Sequence, residues 1–317
     1  MSNASQGSFH LFRFSGVDVF LHWSWFLVAI IEINGRAGRY SSFAWNVVEY
    51  LLLFLIVLLH EFGHALACRQ VGGVANRIVL WPLGGVAFVN PPPRPGATLW
   101  SIAAGPLVNV VLVAVLAVIN LLSRSFGWAN TWPDVYRLLR AVEFINLGLL
   151  AFNMLPIYPL DGGQILRSLL WFVLGRARSL MVATIVGFLG VAGFIGLALW
   201  VHSVWFGALA AFMLLNCWGG LRHAQALSRF AKLPRREGFA CPSCKAAPPV
   251  GENWRCGHCR QPFDSFLTQA TCPSCRAQYP VTQCLECGAA NPMGQWIVPI
   301  SLPRESVVGH SCRVKGN

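Results

Sequence analysis

Charge is what this sequence has least of: only 11% of its 317 residues are Asp, Glu, Lys or Arg, against 55% hydrophobic. An ordinary soluble domain carries about 25% charged residues, so the scarcity excludes both that class and a charge-rich disordered chain. Lysine is missing altogether before Lys232. Cysteine is nearly missing from the same region, where Cys68 and Cys217 stand alone, which excludes a disulfide-stapled framework there. A cleavable leader is not expected either. Met1–Gly16 is mostly polar and the first apolar run lacks a small-residue cleavage site, so that run should stay as an anchor.

What is present is apolar sequence in span-length pieces. A membrane crossing needs about 20 mostly apolar residues, and six stretches approach this: Val17–Ile33, Phe43–Ala67, Ala97–Leu122, Val135–Leu155, Leu180–Val201 and Val204–Leu221. The last two nearly touch, which implies a tight helical hairpin. Between the second and third, Arg77–Trp81 and Val86–Val89 are β-rich and flank Pro82-Leu83-Gly84-Gly85, the chemistry of a β-hairpin at or dipping into the membrane. The proline run 91–95 then forms a stiff linker. With six spans both termini share one side. The basic residues concentrate there, at Arg13, Arg69, Arg77, Arg94, Arg167, Arg176, Arg178 and the 222–236 cluster, so both termini are expected in the cytoplasm of a cell membrane. Residues 222–232 read as a short polar helix along the membrane surface, ended by Leu233-Pro234.

Within this apolar frame lies His60-Glu61-Phe62-Gly63-His64. On a helix, positions i and i+4 share a face, so two imidazoles can grip one zinc while the Glu between them polarises water. Such strings occur by chance in soluble helices, but here the alternative is weak. Ionisable groups within a span cost several kcal/mol to bury and are functional by default. A catalytic zinc usually has three protein ligands, and depth narrows the third. Glu32, Glu49 and Asp134 fall towards the outer face. Glu143 begins the fourth span, 18 residues or about 27 Å of helix from Asp161. Asp161 has the right depth and an irregular setting, Asn153-Met-Leu-Pro-Ile-Tyr-Pro-Leu-Asp-Gly-Gly163, that could present a carboxylate to a cavity. Read alone, it could equally be an N-cap opening the next helix.

The His60–His64 motif together with Asn153–Gly163 resembles the site-2 protease family of intramembrane metalloproteases, with its HExxH and its later N-x-x-P-x-x-P-L-D-G. Ala104-Gly105-Pro106-Leu107-Val108-Asn109 resembles that family's third motif, and the resemblance covers roughly residues 9–220. It implies that His60, His64 and Asp161 bind the catalytic zinc and that Glu61 is the general base. Asn109 and Asn153 would help hold substrate or shape the cleft. It implies cleavage of membrane-spanning segments of other proteins, and the compact branch without a PDZ domain. A transmembrane helix offers no free peptide groups, so its unwound strand would pair with the 77–89 ribbon by strand addition, unless that ribbon is a passive re-entrant hairpin.

The tail differs in kind. Cys241/Cys244, Cys256/Cys259, Cys272/Cys275 and Cys284/Cys287 form four C-x-x-C pairs, the spacing of zinc ribbons. Sequential pairing, first with second and third with fourth, is the simplest assignment; an interleaved cross-brace is the alternative. Two closed four-thiolate sites are structural, carry no catalysis, and make so small a domain depend on metal to fold. Their combined charge of about −4 reduces the tail's excess of 12 basic over 5 acidic residues, so nucleic acid is not the expected partner; a cytoplasmic protein is. Cys68, Cys217 and Cys312 read as ordinary thiols, and 291–317 as loosely ordered.

The expectation is therefore an α-helical multi-pass membrane protein, about six spans plus a membrane-associated β-hairpin, followed by a small zinc-ribbon domain. Its organisation is 1–220 protease core, 221–240 basic linker, 241–290 tandem ribbons and 291–317 tail, with one catalytic and two structural zinc ions. A zinc transporter would show several ligand sites along a path and often an internal repeat, neither of which appears. An idle anchor for the ribbons would have no use for Glu61.

Overall fold

The computed structural model describes residues 7–36, 38–81 and 84–298, in two compact units, Met1–Lys232 and Leu233–Asn317. The chain begins in strand rather than helix. β1 (Ser8–Phe14) and β2 (Val17–His22) pair antiparallel across Ser15-Gly16, both at positive φ (49° and 75°), the two-residue turn that matches strand twist. In β2 the residues alternate, with Val17 and Val19 fully buried and Asp18 and Phe20 less so. That period of two is a strand signal inside what reads as the first span. The expected Val17–Ile33 crossing is thus corrected. Only α1 (Ser24–Gly35) is helical there, and its 12 residues reach about 18 Å, short of a hydrocarbon core of about 30 Å.

α2 (Phe43–Gln70) starts at Ser42, whose hydroxyl accepts the Ala44 N–H at 3.3 Å. β3 (Val74–Trp81) and β4 (Gly84–Asn90) follow as an antiparallel hairpin, longer than the two expected stretches; Pro82 and Leu83 at its tip lie outside the described residues. β2 pairs parallel with β3, giving a four-stranded sheet in the order β1-β2-β3-β4. Its inner face, with Val17, Val19, Ile78 and Leu80, packs on Val57, Leu58, Phe62 and Ala65 of α2. Each of those four strand residues is fully buried, worth about 1.5–3 kcal/mol apiece. The sheet is thereby fixed to the half of α2 that carries the histidines.

α3 (Pro95–Ser125) opens with Pro at its first turn. After the single turn α4 (Trp128–Thr131), α5 (Pro133–Asn153) runs back, α6 (Asp161–Val201) follows, and α7 (Val204–Ala231) closes the unit. α6 has 41 residues, about 62 Å if straight. It is broken at Gly175 (φ 77°, ψ 172°), a conformation open to glycine alone. The expected fifth span is therefore the second limb of a longer element. α6 and α7 meet through His202-Ser203 and pack around Val191, Met213 and Cys217, the tight hairpin expected. Residues 222–231 continue α7 instead of forming a separate surface helix.

Among the described residues, three helices are long and apolar enough to cross a membrane: α2, α3 and α6. α5 carries Asp134, Arg137, Arg140 and Glu143 in its first turns, which lowers its apolar character. Several of these charges are paired. Asp134 accepts from the Ser41 N–H and hydroxyl and lies 3.3 Å from Arg137, while buried Glu49 accepts from Tyr40 and Arg36.

Among its described residues the second unit has four two-residue strands, β5 (Trp254–Arg255) with β6 (Pro262–Phe263) and β7 (Thr282–Gln283) with β8 (Ala290–Asn291). Its small core is Trp254, Phe263, Phe266 and Trp296 among the cysteines. Trp296 is 1% exposed on a 3-10 turn, so the ordered module reaches beyond the expected limit of 290. Residues 299–317, including Cys312, lie outside the described residues.

Candidate metal centre

His60 and His64 stand one turn apart on α2, both buried, with their Nε2 atoms 3.1 Å apart. Asp161 opens α6 and brings Oδ2 to 3.0 Å from His60 Nε2 and 3.5 Å from His64 Nε2. The loop before it contains Pro156 and Pro159, and its Tyr158-Pro159 bond is cis. Gly162 and Gly163 lie against the backbone of residues 154–158, where any Cβ would collide. The same logic joins α2 to α3. A Cβ on Gly63 would strike the Ala104 carbonyl, and one on Gly105 would strike the Nε2 atoms of both histidines.

Each imidazole is held by its other nitrogen. His60 Nδ1 donates to Asn109 Oδ1 at 2.5 Å, and His64 Nδ1 to the Ser101 carbonyl at 3.0 Å. Donation from Nδ1 leaves Nε2 as a bare acceptor, the tautomer that binds metal. Asp161 Oδ2 is itself buried without a hydrogen-bond partner among the described residues. Three acceptors converging with no donor among them are unfavourable in an apolar interior unless a cation lies between them. Two imidazoles and a carboxylate are a zinc-type donor set, so the residues fit the ion.

Glu61 lies on the neighbouring face of α2, 5% exposed. Its Oε2 accepts the Ala87 N–H of β4 at 2.9 Å, and Gly85 is so close that a Cβ there would overlap the carboxylate. β4 is an edge strand, so its outward N–H groups face this acid rather than another strand.

The two asparagines expected to serve substrate differ. Asn109 is fully buried: beyond its bond to His60, its Nδ2 donates to Asn146 Oδ1 at 2.8 Å, and Asn146 Nδ2 returns a bond to the Asn109 carbonyl at 3.0 Å. The Asn109 amide is thus engaged at both ends, its Oδ1 by His60 and its Nδ2 by Asn146. Asn153 ends α5, half-buried, outside this chain of bonds. Sequence reasoning missed Asn146. Its signal was available: an amide inside an apolar helix, two turns before Asn153.

The eight cysteines also converge, but in neither arrangement expected. Cys241, Cys244, Cys284 and Cys287 form one cluster; Cys256, Cys259, Cys272 and Cys275 form the other. The pairing is nested, first with fourth and second with third. Each pair sits in the same turn: Cys241 N–H donates to the Ala246 carbonyl, and Cys256, Cys272 and Cys284 do likewise to Gln261, Ala277 and Ala289. The residue after each second cysteine, Lys245, Arg260, Arg276 and Gly288, has positive φ. Four equivalent turns can pair in any combination. In the nested arrangement Cys256 and Cys259 face Cys275 and Cys272, while Cys241 and Cys244 face Cys287 and Cys284.

Parts of the chain are similar to known proteins. The model of peptidase family M50 matches residues 49–133 and 125–197. A zinc metalloprotease of Methanocaldococcus jannaschii is 34% identical over 180 residues, 57% of this chain and 50% of the relative. The putative zinc metalloprotease Rip3 of Mycobacterium tuberculosis is 28% identical, covering 63% of this chain and 55% of the relative. The chain thus spans about half the length of these curated relatives. Among solved structures, the site-2 protease from Methanocaldococcus jannaschii is 27% identical and aligns over 68% of this chain and 95% of its own, with a TM-score of 0.49. The residues that match peptidase family M50, 49–197, contain the two histidines, the acid between them and the aspartate that meets them, so the chain is similar to that family over the part that builds the metal centre.

Proposed function

We propose that this chain is an intramembrane zinc metalloendopeptidase that hydrolyses peptide bonds of membrane-spanning proteins near the cytoplasmic face, in regulated intramembrane proteolysis. The observation that carries this reading is the meeting of His60 Nε2, His64 Nε2 and Asp161 Oδ2 beside buried Glu61, on two helices apolar enough to span a bilayer. His60, His64 and Asp161 would hold the ion. When bound, zinc supplies Lewis acidity, polarising a carbonyl and acidifying water. Glu61 takes the proton from the attacking water and returns it to the leaving amine. Ala87 keeps its carboxylate in place through that transfer. Asn109 and the Ser101 carbonyl hold the rings so that both Nε2 atoms stay aimed at Asp161.

A substrate helix must unwind before its carbonyls can be reached. The free edge of β4 lies on the Glu61 side and supports binding of the unwound segment by strand addition. Asn153 is the remaining polar group proposed to line that cleft. Both termini are read as cytoplasmic, and the two cysteine clusters as structural zinc sites that recruit a cytoplasmic protein partner.

Purified protein in detergent should cleave a susceptible transmembrane helix, and Glu61→Gln should reduce the rate by at least about 100-fold while zinc content stays at the parent value. Cleavage by Glu61→Gln at the parent rate would remove Glu61 from the role of base.

A further inference from the structure

Two of the three groups at the metal centre share one helix, so α2 sets their spacing. Asp161 instead follows the irregular stretch 154–160, and its approach to the histidines depends on what holds that stretch in place. An unwound segment at membrane depth must have its backbone groups satisfied by protein. The carbonyls of Leu155, Ile157 and Pro159 accept from the Ile157 N–H at 2.7 Å, the Leu160 N–H at 2.8 Å and the Gln164 side-chain amide at 2.9 Å. Those donors all lie within the stretch or the first turn of α6. The Tyr158 carbonyl accepts from farther away, from the thiol of Cys217 on α7 at 3.0 Å. Cys217 is itself fully buried.

Beside that bond lies a slot built of small residues. The second limb of α6, residues 176–201, contributes Gly187 and Gly190, and α7 contributes Gly220, one turn after Cys217. A Cβ on Gly190 would come within 2.4 Å of Ile157 Cγ1, and one on Gly220 within 2.9 Å of the Tyr158 ring. One on Gly187 would come within 2.8 Å of Cys217 Sγ and 3.2 Å of the Tyr158 carbonyl oxygen. By contrast, a Cβ on Gly193 or Gly219, on the same two helices, would meet nothing within 4 Å. The tight glycines are thus the ones that face Ile157 and Tyr158, whose side chains pack with Leu160 on Val191, Met213 and Cys217. Three residues of backbone reach at most about 11 Å, so a shift of Tyr158 carries to Asp161. We propose that Tyr158, keyed into this slot between α6 and α7, is a positioning residue for the metal centre and holds Asp161 at its distance from His60 and His64. The inference rests on Asp161 as the third ligand.

The test uses the full-length chain in detergent. Chelator competition reads the affinity of the membrane-site zinc, the ion lost in His64→Ala, and thermal unfolding reads stability. Tyr158→Ala empties the slot and should weaken that zinc roughly tenfold or more, whereas Tyr158→Phe keeps the ring and should bind it within about twofold of the parent. Leu138→Ala, a truncation in the separate buried cluster on α5, should lower the unfolding temperature and leave zinc affinity unchanged. Gly190→Ala should weaken zinc severalfold by displacing Ile157 while Gly193→Ala leaves it unchanged, and this pair carries the test if Tyr158→Ala fails to fold. Zinc affinity in Tyr158→Ala within about twofold of the parent overturns the proposal, as does an equal loss in Leu138→Ala or equal affinities in the two glycine variants. Asp161→Ala separates the seating from the ligand assignment. If it loses the zinc and Tyr158→Ala does not, the seating alone is wrong; if it binds zinc as the parent does, the ligand assignment fails and the proposal with it.

Discussion

Replacing Asn109 by leucine removes one amide from the centre of the protein with little change in side-chain volume, so its effect isolates hydrogen bonding from cavity formation. Two groups lose their partners: the Nδ1–H of His60 and the Oδ1 of Asn146. Asn146 Nδ2 keeps its bond to the backbone carbonyl of residue 109, which the substitution leaves in place. Each orphaned group is buried and costs about 1–3 kcal/mol. Only the His60 bond bears on the metal. Losing the partner that fixes a ligand's tautomer and ring orientation typically weakens metal affinity about 10–100-fold, or about 1.4–2.8 kcal/mol. Asn109→Asp provides the control. It keeps an acceptor for His60 while losing the donor to Asn146, so zinc affinity should stay near the parent value although stability falls. Chelator competition reads the affinity of the membrane-site zinc, identified as the ion lost in His64→Ala, and thermal unfolding in detergent reads stability. If Asn109→Leu binds that zinc within about twofold of the parent, the assignment of Asn109 as the positioning residue of His60 is wrong.

Further consequences can be checked separately. The double variant Cys241→Ser/Cys284→Ser should lose one structural zinc by metal analysis; sequential or cross-braced pairing would place the two cysteines in different sites and lose two. Gly105→Ala should abolish zinc binding at the membrane site, because its methyl meets both ligating nitrogens. The same exchange in an open helix would stabilise by about 0.5–1 kcal/mol, so lower zinc occupancy without loss of helicity marks a steric effect at the site. Tyr40→Phe should cost about 1.5–3 kcal/mol of stability, since buried Glu49 loses a hydrogen bond, and zinc content should not change. Burial, followed by the hydrogen bond to Glu49 and its charge, raises the Tyr40 phenol above its ordinary value. Its contribution is accordingly complete below about pH 10 and fades as pH rises towards the folded-state value. Denaturation curves of parent and Tyr40→Phe should therefore converge only in strong alkali.

Much of the candidate site is legible in the sequence. The i, i+4 spacing of His60 and His64 needs nothing beyond helix geometry, and depth along the spans already separated Asp161 from the other acids. Reading β2 as the start of a span failed because apolar composition outweighed a six-residue alternation. The signal was local, and it emerges only when β3 supplies a parallel partner some sixty residues later. Asn109 was found by its motif, but its partners His60 and Asn146 were not, because an amide facing substrate and an amide facing a ligand's back nitrogen look alike in one dimension.

By itself, then, the sequence determined the chemistry on offer: two imidazoles on one helical face, an acid between them, a distant aspartate in a broken segment, and four equivalent cysteine turns. These follow from residue type and short-range periodicity, which chain geometry translates directly into space. Tertiary structure decided which groups meet. It set Asn146 behind Asn109, laid the edge of β4 against Glu61, bent α6 at Gly175 so that Arg167 and Arg176 flank one indole, and chose the nested cysteine pairing. Those outcomes depend on helix crossings and strand pairings between residues far apart in the chain. Several local sequence patterns satisfy them equally well, and only packing selects among them.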